Sequence, residues 1–146
     1  MAELLVVVAI IGVTMGVAIP SLWTYYKSSA MTAAGEQMVA VLNNARQLAI
    51  RLNTTVCVTY DATGIQYHQS TCGAAAYTGS GTDSAGYIYL PTGMSLSGTN
   101  DLCFGYLGAG VATPSPCVSN GTLTVTRSSG GTINVTMATT GRVKLQ

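Results

Sequence analysis

Charge is what this chain has least of. Lys, Arg, Asp and Glu make up 8% of its 146 residues, and the formal net charge is +1. An average soluble domain carries roughly 25% charged residues. So weak and balanced a charge excludes whole-molecule steering toward nucleic acid or acidic substrates. Histidine occurs once, at His68, so no Ser-His-Asp set can be assembled, and no GxxxxGK[ST] loop is present to cradle a phosphate. Gly105 and the Gly108-Ala109-Gly110 triplet read as turn glycines. Tyr60, Tyr67, Tyr77, Tyr87, Tyr89 and Tyr106 read as packing residues rather than a cofactor box. The expectation is a protein that is not an enzyme and takes no cofactor, resident metal or small-molecule substrate.

Four cysteines are present, Cys57, Cys72, Cys103 and Cys117, and none forms a CxxC pair. With a single histidine, a zinc site would need four thiolates at unusual spacings. Two disulfides in an oxidising compartment are the better reading. Of the three pairings, the nearest-neighbour one, Cys57–Cys72 and Cys103–Cys117, is favoured. Each bond would close a loop of about 15 residues, a stabilisation of roughly 3 kcal/mol in the chain-entropy account.

Polarity is missing altogether from the opening of the chain. After Glu3, the stretch from Leu4 to Tyr26 holds no charged residue. As α-helix it extends ~35 Å, enough to cross a bilayer core of about 30 Å. A secretory signal peptide would want a basic start, a shorter apolar core and an A-x-A-like cleavage site, and this segment has none of that pattern. Gly12 and Gly16 repeat at the four-residue spacing that lets two helices approach closely. Pro20, inside the run, predicts a kink or local loosening.

Beyond Lys27 the helical period continues but becomes amphipathic. Met38, Val41, Leu42, Ala45, Leu48, Ala49 and Leu52 recur at spacings of three and four, while Glu36, Asn43, Asn44, Arg46, Gln47 and Arg51 fall mostly off that stripe. One helix of about 50 residues is therefore expected, apolar all round in its first half and one-sided in its second. The pattern fades at Asn53-Thr54-Thr55.

Strand signals then take over. Thr55–Asp61 alternates as a half-buried strand does, a turn at Ala62-Thr63-Gly64 follows, and Ile65–Tyr67 returns. The stretch from Cys72 to Gly86 reads as a loop. Further strands are predicted at Tyr87–Leu90, Met94–Leu96, Leu102–Leu107, Thr122–Thr126, Thr132–Met137 and Arg142–Leu145, with Pro114 and Pro116 spoiling the segment before Cys117. The fold class is α+β: a long N-terminal helix packed by its second half on an antiparallel β-sheet domain. Three parts follow, an exposed apolar helix over 1–27, the docked half over 28–53, and a β-rich head over 54–146.

ELLVVVAIIG, followed by a proline, an aromatic and a long amphipathic helix, resembles the N-terminal helix of type IV pilins and type II secretion pseudopilins. The segment LNNARQLAIRLNTTVCV and the ending ATTGRVKLQ are similar to the GspH/FimT branch, in which an arginine-bearing helix leads into the sheet and a G-R-x-R/K strand closes it. The match touches both ends and the middle of the chain. It departs at the start: only Met1 and Ala2 precede Glu3, two residues fewer than separate the family's glutamate from its mature N-terminus.

The resemblance implies that Glu3 pairs with the terminal amine of a neighbouring subunit, neutralising a carboxylate that alone in hydrocarbon costs at least about 2.5 kcal/mol; the alternative is an interfacial Glu3 that reaches the headgroups. It implies a subunit that waits in the bacterial inner membrane and is drawn by an assembly machinery into a helical homopolymer, or into a mixed fibre with other pilins. The end point is an extracellular pilus or a periplasmic pseudopilus. Assembly contacts are expected at Glu3, Leu4, Leu5, Val8, Ile11, Gly12, Gly16 and Pro20. A structural subunit of the pilus filament is the first expectation; a minor pilin or pseudopilin is the alternative. DNA uptake in the branch adds a candidate DNA contact at Arg142 and Lys144, with Arg127 beside them across the sheet. Sequons at Asn53, Asn120 and Asn134 are short enough to arise by chance.

Overall fold

The computed structural model describes residues 2–98 and 100–146, with the side chains of Val17 and Pro20 outside that description. The expectations that rest on the terminal amine of Met1 and on the Pro20 side chain therefore fall outside the described residues. One helix, α1, runs from Ala2 to Leu52. It ends where Asn53 adopts a left-handed φ of 50°. The Asn53 amide donates to the Ile50 carbonyl and the Thr54 amide reaches back to the Ala49 carbonyl. This doubly bonded C-cap uses Asn where glycine is commoner, and it satisfies carbonyls that the helix end would otherwise leave open.

Among the described residues eight antiparallel strands follow: β1 Val56–Tyr60, β2 Gly64–Gln69, β3 Tyr87–Tyr89, β4 Met94–Gly98, β5 Leu102–Phe104, β6 Gly121–Arg127, β7 Thr132–Met137 and β8 Val143–Leu145. They form two four-stranded sheets, in the orders β3-β2-β1-β5 and β4-β6-β7-β8. The β-rich part is thus divided rather than one continuous layer. The division falls between β3 and β4, where Pro91 and a left-handed Gly93 redirect the chain so that β4 pairs with β6. The strand beginning at Leu102 stops at Phe104. There Gly105 donates to the Ala109 carbonyl and Gly108 donates to the Gly105 carbonyl, folding the chain into a tight turn.

The core lies where α1 crosses both sheets. Ala34, Met38, Val41, Leu42, Ala45, Leu48 and Ala49 are buried from the helix, at the period of three and four that places them on one face. Val56 and Val58 from β1, Leu123 and Val125 from β6, and Val135 and Met137 from β7 meet them in a single apolar cluster. Leu52 is 38% exposed, because the helix ends there. Gly35 packs against side chains of the second sheet. A Cβ there would come within 2.5 Å of the Leu145 and 3.0 Å of the Ile133 side-chain ends, so a larger residue obliges those side chains to shift. Tyr67 ties the first sheet to the same helix: its buried hydroxyl donates to the Val41 carbonyl at 2.7 Å, and burial pushes that phenol far above its ordinary range.

Candidate assembly surface

The head leaves the first half of α1 uncovered. Every side chain described between Ala2 and Ser29 is exposed. Leu5 is 74% and Ile11 46% accessible, and the most apolar window of the helix, with mean hydropathy 2.5, has none of its surface buried. An exposed apolar surface this long is far beyond the isolated patches a soluble monomer tolerates. The segment from Ala2 to Tyr26 extends ~37 Å as helix.

Its chemistry suits an apolar surrounding in detail. Helical backbone satisfies its own polar groups, which is the condition for residence in hydrocarbon. The one hydroxyl in the middle of the run, on Thr14, donates back to the Ile10 and Ile11 carbonyls at 2.9 and 3.0 Å. It therefore brings no unsatisfied donor with it. A Cβ added at Gly12 or Gly16 would meet nothing within 4 Å. Neither glycine is needed for packing inside the chain, and the two leave a shallow place on one face of the helix. Val8, four residues before Gly12, continues that row, and Leu4 is in line with it. Glu3 is exposed in the first helical turn, where the helix dipole favours a carboxylate. Trp23, Tyr25 and Tyr26 are exposed at the other end, the arrangement found where a helix meets a membrane–water boundary.

The head begins immediately after these aromatics. Arg127, at the end of β6, donates from Nη1 to the Lys27 carbonyl at 3.1 Å. This contact marks where the helix leaves the domain. Sequence reasoning missed it, as it missed Thr14 and Gly35; the only signal for Gly35 was a small residue on the buried stripe, one turn before Met38.

The cations proposed for DNA do not all converge. Lys144 pairs with Thr136 across β7, whereas the β6 end that carries Arg127 pairs with Thr132. Arg127 is thus displaced by about five residues along the strands, or ~16 Å, and by two strands laterally. The expectation that it sits beside Arg142 and Lys144 is corrected: it belongs to the helix junction. Arg142 and Lys144 are both exposed. Lys144 lies on β8, the edge of the second sheet, and Arg142 immediately precedes that strand. Gly141, with φ 76°, is packed so closely on the Gly108 carbonyl that no Cβ fits between them, and the Gly110 amide donates to the Thr139 carbonyl at 2.9 Å. The turn that launches β8 is thereby fixed onto the turn after β5.

Two disulfides join Cys57 to Cys72 and Cys103 to Cys117. Elsewhere on the head, short turns are held by carboxylates. Asp61 accepts from the Thr63 and Gly64 amides at 2.7 and 2.8 Å, and the Thr63 amide above all holds its carboxyl below the usual range. Asp83 accepts from the Tyr87 and Ala85 amides and from the Tyr89 hydroxyl, with the same consequence.

A helix half naked and half docked on an antiparallel head defines a class of fold, the pilin-like α+β fold, and this chain has it. Among solved structures, it is similar to the minor pseudopilin EpsH from the type 2 secretion system of Vibrio cholerae, with TM-score 0.58, 14% identity, and coverage of 80% of this chain and 95% of that one. It is also similar to the type IV minor pilin FimU of Pseudomonas aeruginosa, with TM-score 0.54, 15% identity, and coverage of 84% and 92%. A second crystal form of FimU gives TM-score 0.52 at 16% identity, over 79% and 91% of the two chains. No protein-family profile and no curated protein sequence matches the chain.

Proposed function

We propose that this protein is a pilin-like subunit that is held in a membrane by α1 and polymerises by exchanging lipid for the same helix of neighbouring subunits. One observation carries the reading: the apolar surface from Leu4 to Trp23 is exposed along its whole described length. Such a surface is stable only in lipid or against other apolar helices. At ~25 cal/mol per Å2 of apolar area kept from water, the stabilisation lost on leaving the bilayer is recovered within a bundle. Contacts that repeat head to tail without closing a ring generate a helical fibre.

Glu3 sets the register in this scheme. Its carboxylate, costly alone in an apolar bundle, finds an amine of the adjoining subunit, which favours one axial stagger over others. Leu4, Leu5, Val8 and Ile11 supply packing, and Gly12 and Gly16 the close approach. Pro20 lies in the same segment. The filament subunit of a type IV pilus is the first form of this role. A minor pilin or pseudopilin is the second, and it is favoured by the minor pilin and minor pseudopilin whose folds this chain shares. The test is Glu3→Val in the source bacterium, with sheared or periplasmic fibres followed by immunoblotting. Loss of the protein from fibres, with its membrane level unchanged, is expected; normal assembly would overturn the pairing.

DNA contact is a subsidiary reading, supported by the exposure of Lys144 on an edge strand and of Arg142 just before it. Two cations give a weak, salt-sensitive phosphate contact. A gel shift at low salt that disappears with Arg142→Gln and Lys144→Gln is expected, while no shift by the parent protein would remove the reading.

A further inference from the structure

The two disulfides are neighbours. Cys57 and Cys103 face each other across the β1–β5 pair. Cys72 arrives from the turn after β2, and Cys117 from the loop that precedes β6. The Cys72 Sγ lies 3.8 Å from the Cys103 Sγ and 3.6 Å from the Cys117 Sγ. All four sulfurs fall within 4.8 Å of one another. Cys57, Cys103 and Cys117 are buried, Cys72 is half-buried, and with Val111 they make a small cluster of their own beside the main core.

Two structural disulfides have no need to touch. A tetrathiolate metal site does require such convergence. Zn–S bonds of about 2.3 Å in a tetrahedron place the sulfurs ~3.8 Å apart. Two of the separations between the bonds, from the Cys72 sulfur to those of Cys103 and Cys117, already have that size, and all lie within 4.8 Å. Once the bonds are reduced, the partners within each pair need to part by roughly 2 Å, a movement that side-chain rotation supplies without moving the strands.

We propose that the reduced chain binds one thiophilic d10 divalent cation, Zn2+ or Cd2+, through the thiolates of Cys57, Cys72, Cys103 and Cys117, in mutually exclusive alternation with the two disulfides. In the laboratory the reductant is a water-soluble phosphine. Each disulfide takes two electrons and two protons and becomes two thiols, while the phosphine takes oxygen from water and becomes its oxide. Binding of the cation then releases four protons and leaves a site of net charge −2. Carboxylate-seeking cations such as Ca2+ and Mg2+ are disfavoured by the all-sulfur donor set. Cys72, the most accessible of the four, is the side from which metal enters.

The test uses the full chain in detergent micelles, reduced with phosphine and titrated with Cd2+. A thiolate-to-metal charge-transfer band that saturates at one cation per chain is expected. Metal should also raise the melting temperature of the reduced protein, because it binds the folded state. Cys72→Ser should bind more than about 10-fold more weakly, since loss of even an outer-shell partner costs that much. The oxidised chain should give no band. Saturation at two cations per chain, a melting temperature unchanged or lowered by metal, or equal binding by the oxidised chain would each overturn the proposal. Should reduction unfold the head, metal is expected to restore its near-ultraviolet circular dichroism, and failure to do so overturns the proposal equally.

Discussion

The two halves of α1 are made from similar residues and meet opposite fates. From Ala2 to Tyr26 the apolar side chains go all the way round and none described is buried; from Ala34 to Ala49 they occupy one stripe, which is covered by two sheets. The difference teaches what each half is for. A one-sided helix is complete once its stripe is docked, and its polar face is left to water. An all-round apolar helix cannot be completed by one small head, and needs lipid or several neighbouring helices.

Substitutions can break that contrast. The largest effect is expected from Ile11→Asp: a charge in the middle of the naked half costs about 2.5–3.5 kcal/mol in an apolar surrounding, on the order of 100-fold, and more if several copies pack together. Filament yield should collapse while the melting temperature of the head stays the same; a shared loss would mean the halves are not separate. Leu42→Ala should do the reverse. Leu42 is fully buried at the centre of the docked face, so its truncation should cost the head ~2–5 kcal/mol in denaturant unfolding. Gly35→Val is expected to cost about 1–3 kcal/mol by crowding the Leu145 and Ile133 side chains, and relief of the defect by shortening Leu145 would sharpen the assignment. The smallest effect concerns pH. The folded-state pKa of Asp61 is lowered, chiefly by the Thr63 amide, so its contribution is present above the unfolded value of about 3.9 and is lost as pH falls through the folded one. Asp61→Asn should lower head stability slightly at neutral pH and flatten the acid limb, so that its difference from the parent shrinks as pH falls below about 4.

Much of this division was legible in the sequence because it rests on local periodicity. The apolar run and the stripe from Met38 to Ala49 announce themselves at spacings of three and four, and the end at Asn53 follows from the loss of that pattern. Most strands were legible too, since alternation and turn residues are local signals. What was not legible is which strands share a sheet. The pairing of β4 with β6, and hence the split into two sheets, depends on contacts distant in sequence. So does the place of Arg127, which sits at the Lys27 carbonyl rather than beside Arg142 and Lys144. Gly35 belongs to the same category: its reason is a side chain at the far end of the chain.

The central claim is that the naked helix trades lipid for copies of itself or its relatives. It is tested most directly by placing a photo-crosslinking amino acid at Val8 and irradiating cells that are assembling fibres. The account predicts a ladder of crosslinked pilin-like subunits, enriched in the sheared or periplasmic fibre fraction. A chain that crosslinks to lipid alone, and remains a monomer confined to the membrane, would contradict it.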